Sequence, residues 1–360
     1  MAQAARRLRE QGFKPDIICA HPGWGESLYL KDIFPDSALV NLFEFYYHSF
    51  GSDLDFDPAS PVKLDDALRG RTRNTINLLS LESCDWGVSP THWQRRQYPR
   101  EYQPKISVIH DGIDTRTCIP VEDKRIFLDN GLRLSRADEV VTYVSRNLEP
   151  YRGFPSFMRA AAIVSRRRPH CHFLIIGGDS VSYGRRLPKG ETYRQRMLAE
   201  VDVDPTRFHF LGRVPYRRFL DCLQVSSVHV YLTFPFVLSW SMLEAMSAGC
   251  LVLGSDTSPV AEVIEDGHNG LLTDFFSPEA IAGRVDEVLD HPDRMLNVRL
   301  RARETVLERY ALERCLPRHL AVIEKLMNGD RPEVPASLEP PLTPHSANRT
   351  TGDKQSSKSA

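Results

Sequence analysis

Short β-branched runs alternate with helical stretches along most of this chain, which confines it to a parallel α/β architecture. In the first part, strands are expected at Asp16–Ala20, Leu39–Leu42, Trp86–Val88 and Ile106–Ile109, with a long helix from Leu64 to Ser83. The Gly, Ser, Asp and Pro of residues 49–61 read as a loop. In the second part, strands are expected near 139–145, 172–176, 208–211, 228–232, 251–254 and 270–272. Helices are expected near 154–167, 192–199, 216–223, 241–248, 259–264 and 278–289, with a linker near 113–125. A last helical segment over 293–327 is expected to break near Tyr310 and at Pro317. The expected division is 1–120, 121–310, a C-terminal helix over 311–328 and a tail over 329–360. Ten of the last thirty residues are Pro or Ser, too polar to offset ordering entropy, so disorder is expected there.

Composition narrows function by exclusion. With 26% charged residues and a formal net charge of −1, no global field recruits nucleic acid. Seven scattered cysteines, odd in number and without a C-x-x-C pair, argue for reduced thiols, a cytoplasmic setting and no structural zinc. Residues 1–21 lack the apolar core of a signal peptide and read as an amphipathic helix leading into a strand. No apolar stretch of about 18 residues is present to span a bilayer; peripheral membrane contact stays open.

The chemistry concentrates in the second part. Arg146 and Arg152 flank a Pro-bearing turn after the strand EVVTYVS, at the sheet edge where open α/β folds bind ligands. Guanidinium forks suit phosphate oxygens, so two there can neutralise a diphosphate. After the strand VHVYLTF, Ser239, Trp240 and Ser241 open a helix whose free N–H groups attract phosphate. Glu244 follows one turn inside, among Leu243, Ala245 and Met246. A carboxylate on an apolar face needs a partner, such as ribose hydroxyls or a helix-capping N–H. Gly177-Gly178 allows either a tight turn or close approach to a ligand, and no G-x-G-x-x-G dehydrogenase fingerprint occurs at a first βα turn.

In order and spacing, Arg146…Arg152-Gly153, then LEAMSAG at 243–249 and EVIEDGHNGLL at 262–272, resemble the group 1 glycosyltransferases (glycosyltransferase family 4). VIHDGID at 108–114 and Ser89-Pro90 extend the likeness over roughly residues 15–325. The resemblance implies a GT-B fold, two Rossmann-like domains facing across a cleft. It implies retaining, metal-independent transfer, with no cofactor beyond a nucleotide-diphosphate sugar as co-substrate and a glycan or lipid-linked acceptor. By the same resemblance Arg146 and Arg152 hold the diphosphate, Glu244 the ribose, and Gly212-Arg213-Val214 lies beside the base. A role in cell-surface polysaccharide or glycoconjugate synthesis also comes from the resemblance alone.

The departures matter too. Eight residues before Glu244, where the family's E-x7-E signature has its first glutamate on the donor-sugar side, stands Phe236. The first unit lacks an opening strand and Gly-rich turn, so it reads as incomplete at its N-terminus. In that unit His21, in the turn after the first strand, and Glu44, in an aromatic run, are the candidate catalytic residues. Tight-turn packing around Trp24 is the competing reading for the first. A second functional reading is a truncated or degenerate relative that binds nucleotide sugar without turnover. A nucleotide-sugar epimerase or a phosphorylase fits the motifs less well.

Overall fold

The structure, a computed structural model, describes residues 1–332. The first domain contains α1 (Ala2–Glu10), β1 (Ile17–Ala20), α2 (Leu30–Ile33), β2 (Ala38–Leu42), α3 (Leu64–Ser83), β3 (Trp86–Ser89), α4 (His92–Gln97) and β4 (Ile106–Val108). A hairpin follows, β5 (Arg125–Phe127) and β6 (Arg133–Ser135). The second domain runs through β7 (Val140–Asn147), α5 (Phe154–Arg167), β8 (His172–Gly178), α6 (Tyr193–Glu200), β9 (Phe208–Gly212) and α7 (Tyr216–Val225). It continues with β10 (Val228–Tyr231), α8 (Trp240–Ser247), β11 (Leu251–Ser255), α9 (Ser258–Ala261), β12 (Leu271–Thr273) and α10 (Pro278–Asp290). The chain closes on α11 (Pro292–Arg309) and α12 (Leu312–Met327).

The two large sheets are parallel, and the hairpin is antiparallel. The second has the order β12-β11-β10-β7-β8-β9. The chain winds outward from β7 to β9, then returns to β10 and winds the other way, so its direction reverses between β7 and β10. That reversal leaves a crevice at the carboxyl ends of β7 and β10, the ligand position of doubly wound sheets. The inner strands are buried on both faces: Phe173 and Leu174 of β8, and Val230 and Tyr231 of β10, point to opposite sides and all lie in the core. The first sheet, β1-β2-β3-β4, is wound in one sense with no reversal among the described residues. This is the two-domain GT-B arrangement the resemblance implied.

One expectation needs correction, the break at Pro317, and two features go beyond the sequence reading. The hairpin occupies the stretch after the expected linker; Ile126, Leu128 and Leu134 pack it into the second domain's core. The terminal helix breaks at Tyr310, but α12 continues through Pro317. Its Val322 packs on Val40, Trp86 and Val88, so the last helix returns to the first domain's sheet. The tail lies outside the described residues from 333 onward; before it, the Arg331 guanidinium stands 5.6 Å from the centre of the Trp86 ring. Among the described residues no helix is long and apolar enough to cross a membrane, and all seven cysteines are free.

Two local devices place the residues around the crevice. In the first domain, Asn74 and Asn77 on α3 grip the strand-like segment after β2. The Tyr47 N–H donates to Asn74 Oδ1 (2.9 Å), Asn74 Nδ2 donates to the Tyr47 carbonyl (2.7 Å) and Asn77 Nδ2 donates to that of Phe45 (3.1 Å). In the second, the turn between β7 and α5 closes on Gly153 at φ 69°, a left-handed conformation that disfavours side chains. A Cβ there would stand 2.4 Å from the Leu232 Cβ. Gly153→Ala should therefore cost about 1–3 kcal/mol, seen as a lower urea midpoint; an unchanged midpoint would refute this account of the turn.

Candidate functional site

The crevice between β7 and β10 is built around Arg152, which is only 8% exposed. Its Nη1 donates to Thr233 Oγ1 at 2.7 Å and to the Tyr231 hydroxyl at 3.3 Å. Its guanidinium lies 5.4 Å from the Tyr183 ring centre and 5.7 Å from that of Phe236. Among the described residues no carboxylate pairs with it. Hydroxyls and ring faces are dipoles and quadrupoles, which leave a buried positive charge uncompensated. Such a site favours an anion.

The nearby acid, Glu149, is fully buried and committed elsewhere. Its carboxylate accepts the backbone N–H groups of Ser182 (3.0 Å), Tyr183 (3.1 Å) and Gly184 (2.8 Å). Glu149 thus folds the loop after β8 back over the crevice and brings Tyr183 against Arg152. Arg146, the other predicted diphosphate ligand, is exposed and pairs with none of the described residues. The two arginines stand at the same strand end in opposite states, one buried and locked, the other open to solvent.

The start of α8 departs from expectation. Ser239 caps it, its Oγ accepting from the Ser241 N–H at 3.4 Å. The Ser239 N–H, expected to be free for phosphate, donates instead to the Tyr231 hydroxyl at 2.8 Å. One tyrosine hydroxyl therefore ties the helix start to Arg152. Trp240 reaches away, and its indole Nε1 donates to Asp111 Oδ2 at 3.0 Å, joining α8 to the segment that links the domains.

Among the described residues Glu244 meets neither a capping N–H nor a positive side chain. Its Oε1 accepts from the Tyr216 hydroxyl at 2.8 Å. Burial raises its pKa, and the Tyr216 bond partly opposes that. At the end of β9, Gly212 turns the chain at φ 64°. Arg213 then donates to Asn147 Oδ1 at 3.2 Å, and a Cβ on Gly178 would lie 2.9 Å from its Nε. That glycine therefore admits protein atoms, Asn147 and Arg213. Val214 packs against the core beside them.

Phe236 is 9% exposed and sits at the seam between the domains. Phe45 from the first domain meets it edge-on at 4.5 Å, and Tyr151 and Tyr183 stand at 5.4 and 5.0 Å. The residue expected on the donor-sugar side is thus a packing element joining the domains, because an aromatic ring here finds other rings. The loop over 49–61 crosses the same seam. Asp53 accepts from the Tyr151 hydroxyl, and Phe56 packs on Phe234, Phe275 and Phe276 at 4.9–5.2 Å. Glu262 closes the seam on another side, accepting the N–H groups of His92 (2.8 Å) and Trp93 (2.5 Å) at the start of α4.

His21 and Glu44 come together: His21 Nε2 lies 3.1 Å from Glu44 Oε2. Gly23 N–H donates to the other ring nitrogen at 3.1 Å, which selects the Nε2–H tautomer of the neutral ring. The hydrogen bond to Glu44 nevertheless holds the His21 pKa above its ordinary value, against the effect of burial. Residues 22–25 do form a tight turn, the Gly25 N–H donating to the Pro22 carbonyl at 2.9 Å. Trp24, however, is 81% exposed, its ring centre 5.5 Å from that of His21, rather than filling a core. Tyr231, Thr233, Tyr183, Glu149 and Tyr216 went unforeseen. Only Glu149, an acid inside the turn carrying Arg152, left a signal in the sequence.

Replacing Arg152 by Met tests the anion site. The ligand-free melting temperature should stay level or rise, because an uncompensated buried charge is removed. Stabilisation by UDP, GDP or ADP should vanish. A lower melting temperature with nucleotide stabilisation intact would contradict the reading.

Comparison with known proteins places this geometry. A family model described as Glycosyl transferase family 4 group matches residues 1–118, and one described as Glycosyl transferases group 1 matches residues 128–305. The chain is 22% identical over 284 residues to alpha-maltose-1-phosphate synthase of Mycolicibacterium smegmatis, covering 75% of this chain and 71% of that protein. It is 26% identical over 197 residues to D-inositol 3-phosphate glycosyltransferase of Corynebacterium glutamicum, covering 54% of this chain and 46% of the relative. Among solved structures, sucrose-phosphate synthase from Thermosynechococcus elongatus superposes with a TM-score of 0.70 at 17% identity, over 90% of this chain and 76% of that one. HepE from Anabaena in complex with UDP-glucose superposes with a TM-score of 0.66 at 13% identity, over 90% and 81%.

Proposed function

The chain belongs to the group 1 glycosyltransferases, and on that premise we propose that it transfers a sugar, with retention of configuration, from a nucleoside-diphosphate donor. The acceptor is a hydroxyl of a glycan or lipid-linked glycan, and the setting is cell-surface polysaccharide or glycoconjugate synthesis on the cytoplasmic side of a membrane. One observation carries the donor reading: Arg152 is a buried cation at the sheet's switch point, with no carboxylate partner among the described residues. HepE, a structural neighbour, is recorded with UDP-glucose, which supports a nucleoside diphosphate here.

In this reading Arg152 and Arg146 receive the diphosphate, Arg152 from beneath and Arg146 from the solvent side. As the bond from the anomeric carbon to the diphosphate oxygen breaks, negative charge grows on the leaving group. The preorganised Arg152 guanidinium stabilises that charge with little reorganisation. No metal is needed for this step in the proposal. Glu244 accepts from ribose hydroxyls, and Gly212-Arg213-Val214 lies toward the base. His21 and Glu44, paired at the strand ends of the acceptor-side sheet, are placed to hydrogen-bond an acceptor hydroxyl.

A specific observation favours a second reading, donor binding without turnover. Phe236 is packed at the seam where a carboxylate would touch the donor sugar. A panel of UDP-, GDP- and ADP-sugars separates the two. At least one should raise the melting temperature and be transferred or slowly hydrolysed, and Glu244→Ala should weaken its binding severalfold. Binding without either reaction supports the second reading. If no nucleotide stabilises the protein, both are wrong.

A further inference from the structure

The ribose carboxylate is not free to choose its orientation. Glu244 Oε1 accepts the Tyr216 hydroxyl at 2.8 Å, and Oε2 has no partner among the described residues. Tyr216 opens α7, beyond the turn at Gly212-Arg213-Val214, so it approaches Glu244 from a different element. The Cys118 thiol, from the segment linking the domains, lies 3.2 Å from the same hydroxyl. Burial pushes that thiol up to about 11, so it stays protonated and can donate to the tyrosine oxygen. The Tyr216 proton is then directed to Glu244, giving a chain from Cys118 S–H through Tyr216 O–H to the carboxylate.

We propose that Tyr216 is the positioning residue of the nucleotide site, holding one oxygen of Glu244 so that the other alone is presented to the ribose hydroxyls. The proposal rests on the assignment of Glu244 to the ribose. A carboxylate held at one oxygen keeps a single rotamer and loses less freedom when a ligand binds, which favours affinity. The same bond favours the ionised carboxylate, the form that accepts from sugar hydroxyls. The titratable groups facing Glu244 are Tyr216 and, behind it, Cys118. Arg303 donates to the Cys118 carbonyl at 2.9 Å.

The test uses the full chain with UDP, GDP and ADP as probes, titrated calorimetrically between pH 4.5 and 8. Tyr216→Phe keeps the ring that packs beside Phe219 at 5.8 Å and removes only the hydroxyl. It should weaken the nucleotide that binds the parent protein by about threefold to tenfold. Because the hydroxyl no longer opposes the effect of burial, the acidic limb of the binding profile should move to higher pH. The nucleotide's own titration is common to both proteins and cancels. In the Glu244→Ala background, Tyr216→Phe should have no further effect.

Unchanged affinity and an unmoved acidic limb in Tyr216→Phe, with Glu244→Ala still weakening binding, overturns the role of Tyr216 alone. An equal loss in both backgrounds also overturns it, since Tyr216 would then act independently of the carboxylate. If Glu244→Ala changes nothing, or none of the three nucleotides binds, the ribose assignment falls and this proposal with it.

Discussion

A guanidinium taken out of water loses several kcal/mol of solvation, and Arg152 recovers it only in part, from two hydroxyls and two ring faces. Much of the surrounding structure follows from that incomplete compensation. Tyr231 must turn its hydroxyl toward the arginine, and in doing so it also accepts the N–H of Ser239, the residue that caps α8. Glu149, which could have neutralised the charge, is occupied by three backbone N–H groups. Gly153 makes the turn tight enough to place the side chain under the sheet edge. An arrangement that spends a nearby acid on a loop and leaves the cation without a counter-charge is suited to an anionic ligand.

The same crevice is where the domains meet, so donor site and domain seam share residues. Tyr151, next to Arg152, reaches Asp53 of the first domain, and Phe236 meets Phe45 one residue past Glu44. Any movement of the first domain against the second must slide the Phe45–Phe236 contact or break the Tyr151–Asp53 bond, and both lie beside Arg152. Burial raises the Asp53 pKa while the Tyr151 hydroxyl opposes it, so that contact is strongest with Asp53 ionised. Glu262, just after α9, adds a third fastening by accepting two backbone N–H groups at the start of α4, with Arg96 3.7 Å from the same carboxylate.

Much of this was legible in the sequence where periodicity and composition are strong. The extent of α5 follows from apolar spacing and its Gly-Phe-Pro start; that of α3 follows from its first-turn acids, since the face it buries is mostly Gly70, Asn74, Asn77 and Ser80. The inner strands follow from continuous apolar runs. The hairpin was missed because it is short and its outward residues Arg125, Phe127 and Arg133 are exposed, leaving one buried position per strand. The composition of residues 49–61 marks them as a loop, which they are, but does not report that Asp53 and Phe56 cross to the other domain. Arg152, Glu244 and Phe236 were identifiable as positions. Their partners Thr233, Tyr216 and Phe45 were not, because each lies between 28 and 191 residues away in the chain and only the fold brings it near.

The central claim, that Arg152 is the anchor of a diphosphate, is tested most directly by a crystal structure with a bound nucleoside diphosphate. The account predicts a phosphate oxygen at hydrogen-bond distance, about 2.7–3.2 Å, from the Arg152 guanidinium. A diphosphate bound elsewhere, with Arg152 still held only by Thr233 and Tyr231, would contradict it.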